Sequence, residues 1–189
     1  MKCLGIFGAV LAPLAAAAAS YVDPQVSESI NYYVFGGATV AEMNAQLARL
    51  GPKTAEGSFH AYTSWYVKWN YDYDRSSGTC GLGPVRTTVT VNYRLPKWAR
   101  PKAPRELAVK WDAYAVALRS HEDGHRDIGV EAGRAVARAL AQLPRQPSCE
   151  QLESLADKTG ERILQEAQAR EVEYDRRTNH GATQGAIFR

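Results

Sequence analysis

The fifteen residues from Phe59 to Tyr73 constrain the fold more than any other stretch of the chain. Phe59, Ala61, Thr63, Trp65, Val67, Trp69, Tyr71 and Tyr73 fall on one side of a period of two, and His60, Tyr62, Ser64, Tyr66, Lys68, Asn70 and Asp72 on the other. A pattern of that length belongs to an extended strand with one covered face. Val85, Thr87, Val89, Val91, Tyr93 and Leu95 then alternate with Arg86, Thr88, Thr90, Asn92 and Arg94. A Ser- and Gly-rich loop, 75–84, joins the two runs, which predicts a long antiparallel pair. Pro96, Pro101 and Pro104 end it. Ahead of both, the aromatic and β-branched run from Asn31 to Gly37 predicts a shorter third strand.

Elsewhere the period is helical. Thr39-x-x-Glu42 is a capping box, followed by Val40, Met43, Leu47 and Leu50 and stopped by Gly51-Pro52, which predicts a helix of about three turns. After Pro104, residues Trp111, Tyr114, Leu118, His121, His125, Ile128, Ala132, Ala135 and Ala139 recur at steps of three and four, one face of a helix. Gly124 and Gly129 leave open whether this is one long helix or two. Pro144 and Pro147 end it, and a last helix is expected from about Ser148 to Tyr174, with a polar tail over 175–189. The order strand, helix, two strands, two helices predicts an α+β fold: a small antiparallel or mixed three-stranded sheet packed on two or three helices.

Residues 1–19 read as a secretory signal peptide: a basic start at Lys2, an apolar run to Leu14 and a small-residue tract ending in Ala17-Ala18-Ala19. That leaves 20–189 as one domain, exported to the periplasm or beyond the cell, with no membrane span after removal of the signal. An oxidising compartment makes a disulfide between Cys80 and Cys149 the expected state, while Cys3 departs with the signal. It would close a loop of about 70 residues and stabilise by roughly 4 kcal/mol on the chain-entropy model. Twenty-three basic against 20 acidic residues, with no polybasic run, point away from a nucleic-acid partner.

The chemistry lies in His121-Glu122-Asp123-Gly124-His125, an instance of HExxH. On a helix, positions four apart sit one turn above each other, so both imidazoles reach one metal ion, with Glu122 beside them as a general base. The surrounding stripe is apolar, as a helix-borne zinc site requires. A catalytic zinc takes three protein ligands, and three sources compete for the third place: His180, the Glu171-x-x-x-Asp175 or Glu153-x-x-x-Asp157 pairs, and Asp175 by itself. His60, on the polar face of the long strand, reads as a surface residue.

The Trp69-Asn70-Tyr71 strand end, Trp111 and Tyr114 leading into HEDGH, and the block Tyr174-Asp175-Arg176-Arg177-Thr178-Asn179-His180-Gly181 resemble a bacterial family of predicted secreted zinc-dependent proteases, otherwise a domain of unknown function. The last block is similar to that family's YDxxTxHG signature. The resemblance implies a zincin-like arrangement with HExxH on the central helix and His180 as third ligand. Tyr174 and Asp175 stand as groups that orient an imidazole or polarise a carbonyl.

The resulting expectation is a secreted or periplasmic metallopeptidase holding one Zn2+ per chain on His121, His125 and His180. It would hydrolyse a protein or peptide substrate through zinc-activated water, with Glu122 as the base. The alternative is a non-catalytic, zinc-stabilised binding module of the envelope, with the aromatic strand pair as its partner surface.

Overall fold

The computed structural model describes residues 20–55, 57–100 and 103–189. The signal-peptide expectation for residues 1–19 lies outside them. Seven strands and three helices follow in the order β1 (Gln25–Phe35), α1 (Val40–Leu50), β2 (Lys53–Thr54), β3 (Gly57–Ser58), β4 (Tyr62–Asn70), β5 (Tyr73–Asp74), β6 (Gly81–Leu82), β7 (Arg86–Trp98), α2 (Arg105–Ala141) and α3 (Cys149–Thr178). A 3-10 turn at Ala182–Gln184 comes last.

The main sheet has the order β1-β7-β4. β4 runs antiparallel to β7, with Trp65 opposite Val91 and Thr63 opposite Tyr93. β1 runs parallel to β7 on its other side, Gln25 facing Thr88 and Phe35 facing Trp98. The sheet is therefore mixed, and three helices accompany it. β1 begins six residues before the sequence signal at Asn31, because the side chains of Gln25 to Tyr32 are all exposed and carry no alternation.

α1 starts as its capping box requires. Thr39 accepts a hydrogen bond from the Glu42 amide at 3.2 Å, while Glu42 takes the Ala38 N–H at 2.8 Å. Its Met43 and Leu47 are fully buried against the sheet.

α2 is one unbroken helix of 37 residues, about 55 Å long. Its glycines mark contacts rather than breaks. A Cβ at Gly129 would lie 2.4 Å from Trp65 Cγ, and one at Gly160 of α3 would lie 2.9 Å from the Trp69 ring. The tryptophans of β4 thus sit directly on helix backbone. Two buried clusters result. One gathers Phe35, Met43, Val91, Tyr93 and Trp111 around the sheet. The other packs Val85, Val136, Leu140 and Leu152 between α2 and α3.

Cys80 and Cys149 form a disulfide that ties the β5–β6 loop to the first turn of α3. Cys80 and Gln146 exchange two backbone hydrogen bonds of 2.8 Å beside it, and Arg145 donates to Asp74 at 2.6 Å and to the Thr79 carbonyl at 2.8 Å. No described helix is long and apolar enough to cross a membrane.

The Gly129 contact gives a signed prediction. In an open helix, Gly→Ala stabilises by about 1 kcal/mol. Here the added methyl meets the base of a rigid indole, a clash that costs about 1–3 kcal/mol. Gly129→Ala should therefore lower the urea midpoint, and the double variant with Trp65→Ala should lose that penalty. A single variant as stable as the parent would contradict the packing.

Candidate metal centre

α2, α3 and β4 each bring side chains to one place. Along α2, His121, Glu122 and His125 are 4%, 4% and 7% exposed. Along α3, Glu171, Tyr174 and Asp175 share one face through their i, i+3 and i+4 spacing.

The Nε2 atoms of His121 and His125 lie 3.3 Å apart, and Asp175 Oδ1 lies 3.1 Å from each. Four ligands at 2.0–2.1 Å from a zinc ion stand about 3.3 Å apart at tetrahedral angles. The three atoms therefore already form one face of such a coordination sphere, and they are the set among the described residues able to hold a metal together.

Both histidines are held from behind. His125 Nδ1 meets Glu171 Oε2 at 2.5 Å, and Trp65 Nε1 donates to Glu171 Oε1 at 2.9 Å. Glu171 thus orients a histidine, as acceptors behind metal-binding imidazoles commonly do. His121 Nδ1 meets Gln184 Oε1 at 3.0 Å. Tyr174 stacks flat on the His121 ring, with centroids 5.1 Å apart at 9°, and meets His125 edge-on at 5.0 Å. Its hydroxyl donates to the His121 carbonyl at 3.1 Å. Gly124 makes room for it: a Cβ there would lie 2.1 Å from the Tyr174 hydroxyl.

Charge in this pocket is compensated internally. Burial would make His125 harder to protonate, but hydrogen bonds to Asp175 and Glu171 outweigh it and raise its pKa to about 10. Burial also works against the Asp175 carboxylate, yet the two histidines hold it well below the usual carboxylate range. Glu122 is pushed up, chiefly by burial, against the opposing pull of the Thr63 hydroxyl and the histidines. Thr63 Oγ1 donates to Glu122 Oε2 at 2.6 Å.

Of the residues singled out in the sequence, His121, Glu122, His125, Tyr174 and Asp175 come together. His180 stands at the edge of the group. Its Nδ1 is 3.6 Å from Asp175 Oδ2, its side chain is 53% exposed, and its ring lies 5.5 Å from that of Phe59. The third place beside the two imidazoles is taken by Asp175. Glu153 is remote from the centre; its carboxylate accepts from the Tyr73 hydroxyl.

His60 departs from its reading as a surface residue. It precedes β4 and is partly buried, with Nδ1 2.6 Å from the Tyr114 hydroxyl. Burial lowers its pKa.

Thr63, Trp65 and Gln184 were not picked out as site residues from the sequence. Thr63 leaves a trace there, a polar residue on the apolar side of β4 opposite the HExxH helix. Gln184 leaves none, since its position depends on the turn after α3. A cleft of about 750 Å3 opens over the group, lined by residues 58–66, by Tyr114 and Leu118 of α2 and by Gln168, Val172 and Arg176 of α3.

No curated protein and no solved structure matches the chain. A family model described as a bacterial protein of unknown function, DUF922, matches residues 30–181, a stretch that holds the second half of β1, the HEDGH turns of α2 and the Tyr174–Gly181 block. With most of its length matched, the His121–His125–Asp175 group included, the chain belongs to the DUF922 family.

Proposed function

We propose that the protein is an exported zinc-dependent metallopeptidase, with His121, His125 and Asp175 holding one zinc ion and Glu122 serving as general base. The observation that carries this reading is the triangle of two imidazole nitrogens and one carboxylate oxygen, with edges of 3.1–3.3 Å, one residue away from a buried glutamate. Asp175 rather than His180 is the proposed third ligand because its oxygen already completes that triangle. Bound there, zinc supplies Lewis acidity, polarising a peptide carbonyl and lowering the pKa of water toward roughly 7.

The chain's own groups divide the remaining work. Thr63 fixes Oε2 of Glu122 and leaves Oε1 to take the proton of the attacking water. Because burial raises its pKa, Glu122 holds that proton and can deliver it to the departing amine. Glu171 and Gln184 keep the two imidazoles aimed. The order β1-β7-β4 puts β4 at an edge of the described sheet, and consecutive residues 58–66 line the cleft. An extended peptide can add to that edge by main-chain hydrogen bonds and lie between β4 and α3. The signal-like residues 1–19 and the Cys80–Cys149 disulfide support export.

Two outcomes test the reading. Glu122→Gln should bind one equivalent of zinc as the parent does, while hydrolysis of an unfolded polypeptide falls by about 10²–10⁴-fold. Undiminished hydrolysis would contradict the assignment. A parent protein that binds zinc and cleaves nothing would instead favour the envelope binding module.

The proton held on His125 sets the pH dependence. With a pKa of about 10, the metal-free imidazole stays protonated from about pH 6 to 8, and zinc must displace that proton. Zinc affinity should therefore rise about tenfold per pH unit over this range and fall equally on acidification. Competition titration against a chelating dye measures it, and a flat profile would contradict the arrangement.

A further inference from the structure

The chain beyond α3 does not simply trail away. Asn179, His180 and Gly181 are three successive residues with φ of 48°, 48° and 80°, a left-handed run that side chains disfavour. Thr178 fastens it: its hydroxyl donates to the Tyr174 carbonyl at 2.8 Å and accepts from the Gly181 N–H at 3.3 Å. Thr183 then donates to the Thr178 carbonyl at 3.1 Å. Gly181 itself touches the site, since a Cβ there would lie 2.9 Å from His121 Cγ.

The turn sends residues 182–189 back along α2. Phe188, 8% exposed, wedges between Trp111 and Tyr114 with ring centroids at 5.6 and 5.2 Å. Asn44 of α1 donates to its carbonyl at 3.2 Å. This strap lies beyond the stretch matched to the family.

Between its two ends the strap carries Gln184, and the hydrogen bonds around it fix which way the amide faces. The Tyr174 hydroxyl lies 3.1 Å from the His121 carbonyl and 3.4 Å from Gln184 Oε1; the shorter bond takes its proton, and its oxygen accepts from Gln184 Nε2 at 3.1 Å. That turns Gln184 Oε1 toward His121 Nδ1, 3.0 Å away. An amide oxygen only accepts, so His121 Nδ1 carries a proton. Nε2 is then the nitrogen that faces the metal, beside His125 Nε2 and Asp175 Oδ1.

We infer that the strap 182–189 is a working part of the metal centre, with Gln184 the positioning residue that sets the tautomer and aim of His121 and Phe188 the anchor that holds Gln184 in place. The inference deepens the metallopeptidase reading and rests on it for the metal alone; the hydrogen bond from His121 Nδ1 to Gln184 is a property of the metal-free chain. The two imidazoles are then backed unequally, His125 by a carboxylate and His121 by a neutral amide. Only the first of these backing groups carries charge into the centre.

Two measurements on the full chain decide it. In zinc titrations, Gln184→Ala should bind about 10–100-fold more weakly than the parent, and Phe188→Ala should weaken binding in the same direction. Gln184→Glu keeps an accepting oxygen in place and should recover parental affinity or exceed it. A strap that merely stabilises the fold would lower the melting temperature of Gln184→Ala and leave its zinc affinity unchanged, which would overturn the inference. Imidazole 15N spectra of the metal-free parent need no variant and no zinc binding. A proton on His121 Nδ1 supports the assignment, and one on Nε2 with Nδ1 bare overturns it. A parent that fails to bind zinc would contradict the metallopeptidase reading, with the spectra still deciding the role of Gln184.

Discussion

Tyr174 lying against Gly124 is the contact on which the rest of the centre depends. The phenol can reach the α2 backbone because residue 124 has no side chain, and there it stacks on one histidine and meets the other edge-on. Tyr174 and Asp175 are neighbours on α3, so the approach that seats the ring also brings the carboxylate to both Nε2 atoms. Glu171, one turn earlier, arrives behind His125 by the same registration. A glycine inside a helix costs about 1 kcal/mol relative to alanine. At position 124 that cost is offset by a helix pair close enough to place three side chains at once.

Burying these groups sets a second constraint. Asp175, Glu171 and Glu122 bring three carboxyl groups to two buried imidazoles at the floor of the cleft. Without a cation, the balance is kept by a proton on His125 and by the raised pKa of Glu122. An unpaired buried charge is expensive, so in the proposed function a divalent cation takes the place of that proton. The neutral hydroxyl of Thr63 and the amide of Gln184 supply direction without adding charge.

Much of this was legible in the sequence where one face of an element is buried. Alternation over 59–73 and 85–95 marked β4 and β7, and the three-four spacing from Trp111 onward marked α2, because each of these elements presents an apolar side to the core. The capping box located α1 through a local hydrogen bond. β1 was half hidden because its first eight side chains are exposed and carry no pattern. HEDGH announced itself, since both histidines lie on a single helix. The partner across from it was harder: Asp175 and His180 are five residues apart, and which of them completes the triangle depends on a left-handed turn that periodicity does not encode. Gln184 lies on the far side of that turn and had no signal at all.

The central claim is that His121, His125 and Asp175 jointly hold a zinc ion. Anomalous diffraction at the zinc edge, from crystals of the protein grown with one equivalent of zinc, tests it most directly. The account predicts one zinc peak per chain, bonded to both Nε2 atoms and to Asp175 Oδ1 at about 2.0–2.2 Å. A zinc ion held by His180 in place of Asp175, or none at this cluster, would contradict it.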